Sequence, residues 1–354
     1  MKKIILTGGG SAGHVTPNLA LIDELLKDGW EVHYIGTKSG IERSIIKDKR
    51  IIYHAVNAGK LRRYFNAKNF TDPFRVLEGI FQSFSIVKKI KPKVIFSKGG
   101  FVSVPVVIGG WMNGIPVIIH ESDMTPGLAN KISAAFASKI CINFPSTEKY
   151  FSKGKVVYTG TPIRKGILNG SYNTGLGICG FEANKPVVMV MGGSLGSRRI
   201  NSLIRKALPH LLKSFQVVHV CGRGNVDPSL SGLNGYKQFE YVNEEQPHLF
   251  KIANLIISRA GANSIFEFLK LKLPNILIPL STNSSRGDQI YNARYFEKMG
   301  FSKVLFEENI NADILCQAIF DVYNSRGKYI ESMRRKQTPD GTAEIMKLIT
   351  AYDN

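Results

Sequence analysis

The sequence predicts an α/β protein made of two Rossmann-like domains facing a cleft. Short runs of Val and Ile without polar alternation recur along the whole chain, separated by longer periodic segments, the pattern of parallel strands buried under helices on both faces. The same opening occurs twice, as Ile4-Ile5-Leu6-Thr7-Gly8-Gly9-Gly10-Ser11-Ala12-Gly13 and as Val187-Val188-Met189-Val190-Met191-Gly192-Gly193-Ser194-Leu195-Gly196. Each is a short strand running into a glycine cluster and a helix. The length of 354 residues suits two domains.

Taken in order, strands are expected at residues 3–7, 32–35, 51–56, 94–97, 117–120, 140–143 and 156–159, and then at 187–191, 217–221, 238–242, 255–258, 275–280 and 303–306. The join falls near 160–166, where Thr159-Gly160-Thr161-Pro162 breaks the pattern. The domains therefore divide as 1–162 and 163–339, with a C-terminal helix over about 340–354 expected to pack back on the first. Residues 170–180, rich in Gly, Asn, Ser and Thr, read as a loop inside the second domain.

Composition narrows the class. With 44% hydrophobic and 21% charged residues the chain is neither disordered, collagenous nor a coiled coil. The longest apolar stretch, 102–119, is interrupted by Ser103, Pro105, Gly109, Gly110, Asn113, Gly114 and Pro116 and is no membrane span. Ile4, Ile5 and Leu6 are too few for a signal-peptide core, so a cytoplasmic protein is expected. Cys141, Cys179, Cys221 and Cys316 are widely separated and read as reduced core residues. The net charge of +20 calls for an anionic partner, whether nucleotide, nucleic acid or acidic lipid surface.

The first glycine run fits G-x-G-x-x-G through Gly8, Gly10 and Gly13, where backbone amides approach a diphosphate at a helix start. The second strand ends in Gly36-Thr37-Lys38 with no acid to hold a dinucleotide ribose, which argues against NAD. A second glycine loop, Ser97-Lys98-Gly99-Gly100-Phe101, suits another anion in the same domain. In the second domain Gly192-Gly193-Ser194-Leu195-Gly196-Ser197-Arg198 adds hydroxyls and a cation to free amides. Ser258-Arg259-Ala260-Gly261-Ala262-Asn263-Ser264 leads into a helix carrying Glu267, an acid placed to accept both hydroxyls of a ribose. Gly287-Asp288-Gln289 offers sugar-reading groups at another strand end, and His14 and the pair His120-Glu121 supply acid/base candidates. There is no P-loop, no nucleophile elbow and no D-x-D motif for a divalent metal, so a leaving diphosphate would be met by amides, helix dipoles and Arg.

These motifs, with Gly160-Thr161-Pro162-Ile163-Arg164 between the halves, follow the order and spacing of the MurG family of peptidoglycan glycosyltransferases, which the chain resembles from about residue 3 to 300. The resemblance implies the GT-B fold. It also implies inverting, metal-independent transfer of N-acetylglucosamine from UDP-GlcNAc to the C4 hydroxyl of the muramoyl sugar of lipid I, without a cofactor, at the cytoplasmic face of the membrane. By position, Ser11, Ala12 and Gly13 resemble the segment that meets the donor, and His14 the proposed base, with Glu121 as the runner-up. Arg164 and Ser194 resemble ligands of the UDP diphosphate side, Val242 the uracil-binding backbone position, Ala262, Asn263 and Ser264 the loop over phosphate and sugar, and Glu267 the ribose ligand. Gln289, with Asp288, would read the sugar hydroxyls, and Gly10, Gly99 and Gly100 would take the acceptor diphosphate. The chain departs from the family at Ser11 and Ala12, where Thr and Gly are usual, and at Ser122-Asp123, where others carry Gln-Asn.

A basic window, 60–93, carries Lys60, Arg62, Arg63, Lys68, Arg75, Lys88, Lys89, Lys91 and Lys93, with Phe70, Phe74, Leu77, Phe81 and Phe84 as one helical stripe. The expected arrangement buries Phe74, Leu77 and Phe81 on the sheet and turns Tyr64, Phe65 and the basic residues to an anionic membrane surface. The competing readings are a glycosyltransferase with another lipid acceptor such as diacylglycerol, and a dinucleotide-dependent oxidoreductase. A nucleic-acid partner is not expected, since no RNA-binding motif is interleaved with the basic residues.

Overall fold

The computed structural model describes residues 2–59, 72–193, 196–282 and 285–353. The chain forms two compact units, residues 1–164 with 338–354, and residues 165–337.

The first unit holds a seven-stranded sheet of β1 (Lys3–Thr7), β2 (Glu31–Gly36), β3 (Ile52–Ala55), β4 (Val94–Ser97), β5 (Val117–Glu121), β6 (Lys139–Ile142) and β7 (Val156–Tyr158). Its order is β3-β2-β1-β4-β5-β6-β7, and every pairing is parallel. Both faces are covered, which is why the strands lack polar alternation. Ile4 and Leu6 pack on one side with Leu21, Leu25 and Trp30, while Ile5 packs on the other with Val106, Val107 and Ile119. Helix Gly341–Thr350 adds Ile345 and Ile349, four residues apart, to the first of these cores. Asp340 caps that helix by accepting from the amides of Thr342 and Ala343, and the Lys2–Asp353 ion pair ties down its end.

The second unit repeats the plan with β8 (Val187–Met191), β9 (Gln216–Val220), β10 (Tyr236–Phe239), β11 (Ala253–Ser258), β12 (Asn275–Leu277) and β13 (Ser302–Val304). These are arranged β10-β9-β8-β11-β12-β13, again parallel throughout. Helix Arg198–Leu211 buries Ile200, Leu203, Ile204, Ala207, Leu208 and Leu211, a stripe at helical spacing. Each such large aliphatic side chain contributes about 1.5–3 kcal/mol on burial. All four cysteines are buried and unpaired.

Two expectations are corrected. Residues 170–180 hold a helix, Tyr172–Cys179, capped by the Ser171 hydroxyl and closed by left-handed Gly180. The small residues that suggest a loop serve close packing instead. A Cβ on Gly170 would lie 2.0 Å from the Pro247 carbonyl oxygen, and one on Gly175 would lie 2.4 Å from that of His248. The stripe on helix Asp72–Ile90 is the second correction, because Phe74 is 74% exposed, Leu77 53% and Phe81 66%. The face that packs on helix Ser103–Met112 is the one with Gly79, Ser83, Val87 and Ile90, where small residues admit close approach: a Cβ on Gly79 would lie 3.3 Å from Pro105 Cβ, and one on Gly109 would lie 2.9 Å from Ser83 Cβ. Lys60, Arg62, Arg63, Tyr64, Phe65, Lys68 and Phe70 lie outside the described residues.

Candidate active site

In each sheet the strand order reverses beside the first strand, between β1 and β4 and between β8 and β11. The carboxyl ends of strands at such a switch point open a ligand crevice. The glycine motifs sit at these four strand ends.

In the first unit the two glycine loops touch. The Gly9 amide donates to the Gly99 carbonyl at 3.3 Å, and a Cβ on Gly100 would lie 2.1 Å from the Gly9 carbonyl oxygen and 3.1 Å from His14 Nδ1. His14 ends a short 3-10 turn, Ala12–His14, and its Nδ1 lies 2.9 Å from the Ser11 hydroxyl. Ser11 and Gly13 are exposed, while Ala12 and His14 are half-buried. The structure therefore brings Gly10, Ser11, Ala12, Gly13, His14, Gly99 and Gly100 to one edge.

The amides of that edge are distributed differently from the sequence expectation. The Gly10 amide donates to Glu42 Oε2 at 3.3 Å, and that fully buried carboxylate also takes the Thr37 amide at 2.9 Å and the Thr37 hydroxyl. The Gly10 amide is thus turned to a buried carboxylate in this structure. The Gly99 amide is likewise turned to Ser97 Oγ at 3.2 Å. No described residue accepts from the amides of Gly100, Phe101 and Val102, which open toward helix Ser103–Met112.

Glu121, the alternative base, is buried among donors. It is 4% exposed, and its two oxygens take the Asp123 amide at 2.9 Å, the Gly127 amide at 3.1 Å and Asn130 Nδ2 at 2.9 Å. A carboxylate that accepts from three donors holds the loop after β5 in place. Its neighbour His120 is wholly buried and bonded to Lys98 and to the Gly160 carbonyl. Burial and the adjacent Lys98 push its imidazole well below the usual range.

In the second unit the loop after β8 carries Gly193 and Gly196 in left-handed conformations, and Ser197 caps helix Arg198–Leu211; Ser194 lies outside the described residues. Ala262 is buried, and Asn263, Ser264 and Glu267 are half-buried on helix Ala262–Leu271, which follows β11. Asp288 and Gln289 begin helix Asp288–Lys298, where Asp288 pairs with Arg286 at 3.6 Å. The Gln289 carbonyl oxygen accepts from the Leu280 amide at 3.2 Å, which fixes the orientation of its side-chain amide. Val242 is buried beyond the end of β10, which stops at Phe239, so it is a loop residue rather than a strand residue. Arg164 is half-buried and ends the first of the two segments of the first unit.

Sequence reasoning missed three organising residues. Glu42 lies well past the strand end where an acid was sought, and the chain folds it back under the glycine loop. Lys98, inside a recognised motif, is 1% exposed. Arg259 donates to the Ile278 carbonyl at 3.0 Å, to Ser197 Oγ at 2.7 Å and to Glu307 at 2.6 Å, linking the loops after β8, β11 and β12. Their motifs were visible in sequence, but their partners are distant along the chain.

The geometry agrees with known proteins. Residues 4–142 match the glycosyltransferase family 28 N-terminal domain and residues 187–349 the family's C-terminal domain. The UDP-N-acetylglucosamine--N-acetylmuramyl-(pentapeptide) pyrophosphoryl-undecaprenol N-acetylglucosamine transferase of Clostridium tetani is 56% identical over 99% of this chain and 98% of its own. The protein of the same name from Lachnospira eligens is 55% identical over 99% of both. Among solved structures, Acinetobacter baumannii MurG superposes with a TM-score of 0.77 at 24% identity, covering 99% of this chain and 100% of that one. The calicheamicin glycosyltransferase CalG4 gives 0.72 at 12% identity, over 99% and 98%. The fold is thus the GT-B fold of two parallel-sheet α/β domains, and the chain belongs to glycosyltransferase family 28, within its MurG group of N-acetylglucosaminyltransferases.

Proposed function

We infer that this chain transfers N-acetylglucosamine from UDP-GlcNAc to lipid I, forming lipid II for peptidoglycan synthesis, as the activity named for its relatives at 53–56% identity indicates. The acceptor is the C4 hydroxyl of the muramoyl sugar, and the reaction inverts the anomeric centre without a metal. The first unit takes the acceptor and the second the donor. His14 is the base, and the observation that carries this is its placement against both glycine loops at the β1/β4 switch point. With Ser11 Oγ accepting from Nδ1–H, the Nε2 lone pair is left for the acceptor proton. As Nε2 takes that proton, the acceptor oxygen bonds to C1 of the sugar. The bond from C1 to the diphosphate oxygen breaks, and UDP leaves with the electron pair. Arg164 and the amides of the loop after β8 stabilise the departing diphosphate. Glu267 holds the ribose and Gln289 the sugar.

The acceptor is membrane-bound, and the exposed Phe74, Leu77 and Phe81, with exposed Arg75, Lys88 and Lys89 on the same helix, form a peripheral contact with an anionic bilayer. Among the described residues no helix is long and apolar enough to cross a membrane.

Labelled UDP-GlcNAc incubated with lipid I in EDTA tests the reading, with diacylglycerol as the competing acceptor. Transfer to lipid I alone is expected. His14→Ala lowers kcat by about 10² or more with UDP binding kept. A strict Mg²⁺ requirement, or a His14→Ala variant of full activity, overturns the mechanism.

A further inference from the structure

Lys98 is the most deeply buried cation among the described residues, and among them no carboxylate pairs with it within 4 Å, whereas the buried Arg259 pairs with Glu307. It follows β4 directly, and its amide donates to the Thr7 carbonyl at 2.9 Å, so its backbone is fixed against β1. Its ammonium donates to His120 Nδ1 at 2.8 Å and to the hydroxyl of Ser122. The carbonyl of Gly160 can only accept, so His120 Nε2 carries the ring proton toward it, at 2.9 Å, and Nδ1 offers its lone pair to Lys98. The network thus runs from the second glycine loop through Lys98 to β5, to the loop that follows it, and to Gly160 just past β7.

A buried ammonium hydrogen-bonded to two neutral groups, with the carboxylates of Glu121 and Asp123 acting on it only from beyond ion-pair distance, is costly to keep charged. The next residues along the chain are Gly99, with φ of 94°, and Gly100, with φ of 84°, followed by the amides of Gly100, Phe101 and Val102 that have no acceptor among the described residues. We propose that Lys98 is a positioning residue for the acceptor: its buried ammonium, clamped by His120 and Ser122, holds the second glycine loop in place and supplies the positive field that draws the acceptor's diphosphate onto those amides. This rests on the reading that the loop receives the diphosphate of a lipid-linked sugar. Ser122 is part of the device, because its hydroxyl accepts from the buried ammonium.

The titratable groups facing Lys98 are His120 on β5, Glu121 at its end, Asp123 in the loop beyond and Cys141 on β6. Burial keeps His120 neutral and pushes the Cys141 thiol up to about 12. Burial also brings Lys98 down to about 8, with Glu121 and Asp123 opposing that fall. The charge is therefore present below about pH 8 and lost above it. Stability moves in the opposite sense. A lysine titrating lower in the folded chain than in the unfolded one, which stays near 10.5, makes the fold bind fewer protons, so its contribution rises with pH between about 8 and 10.5. A merely structural lysine would move acceptor affinity and stability together.

The test uses the full chain, UDP-GlcNAc and a soluble short-chain lipid I analogue. Lys98→Met keeps an unbranched side chain, one heavy atom shorter, and removes the charge; acceptor KM is expected to rise about tenfold or more, with donor KM changed less than about twofold. In the wild type, acceptor KM rises between about pH 7 and 9, and this limb disappears in Lys98→Met. An acceptor KM within about twofold of wild type, a joint rise of both KM values, or a limb that persists in the variant overturns the proposal. Should Lys98→Met fail to fold, Ser122→Ala carries the test, since loss of that acceptor moves the limb to lower pH and an unmoved limb rejects the idea. A wild type that transfers nothing to lipid I refutes the assigned reaction, whereas an active wild type with an unaltered Lys98→Met refutes only the role of Lys98.

Discussion

Gly100→Ala tests whether contact between the two glycine loops fixes the base. The substitution acts in two separable ways. Gly100 has φ of 84°, and an L side chain in the left-handed region costs roughly 1–2 kcal/mol, partly offset by about 0.4–1 kcal/mol from a stiffer unfolded chain. The added Cβ would also lie 2.1 Å from the Gly9 carbonyl oxygen, a backbone atom that no rotamer change can move. Relief requires the first glycine loop to shift by about 1 Å, with a further cost of about 1–3 kcal/mol. Gly114 provides the control, since its φ is 69° and a Cβ there meets nothing within 4 Å. Gly114→Ala therefore costs about 1 kcal/mol, lowering Tm by roughly 2–4 °C, and leaves kcat unchanged. Gly100→Ala costs about 3–4 kcal/mol, lowering Tm by roughly 6–16 °C. Displacing His14 by about 1 Å lowers kcat about 10²-fold. Thermal melts and steady-state transfer to a short-chain lipid I analogue, read side by side, decide the matter. Equal melting shifts for the two variants, or a Gly100→Ala enzyme with wild-type kcat, would refute the argument.

Three other outcomes follow from the geometry. Glu267→Ala should raise donor KM with kcat nearly constant, and Gln289→Ala should weaken discrimination between N-acetylglucosamine and glucose donors; competition kinetics with both UDP-sugars checks the pair. Arg259→Met leaves the 18%-exposed Glu307 carboxylate without its cation and should destabilise the second unit by about 3–5 kcal/mol, read by denaturant melts, while Arg259→Met with Glu307→Gln recovers part of the loss. Replacing Phe74, Leu77 and Phe81 together by Ser should weaken binding to anionic vesicles about 10²-fold, at about 1 kcal/mol for each partly inserted side chain, with turnover of a soluble acceptor kept; unchanged vesicle binding would reject the contact.

The fold class, the two-domain plan and all thirteen strands were legible in the sequence, because a strand buried on both faces must be apolar at every position and a phosphate-type turn must use glycine. The motifs placed His14, Glu267 and Gln289 at strand ends for the same local reason. What the tertiary structure decided depends on partners far away in the chain. Residues 170–180 carry the small residues of a loop, yet Gly170 and Gly175 are small because Pro247 and His248 lie against them. The stripe of Phe74, Leu77 and Phe81 has the spacing of a core face, but periodicity shows only that a helix has two faces. The close approach of Gly79 and Ser83 to their neighbours determined which of them turned inward. Glu121 and Glu42 are identical in chemistry to a catalytic or ribose-binding acid, and only the donors gathered around each, from Asn130 and Gly127 in one case and from Thr37 and Gly10 in the other, made them structural. Local pattern determines which element forms; how a charge behaves depends on the groups that burial brings around it, and those come from other strands.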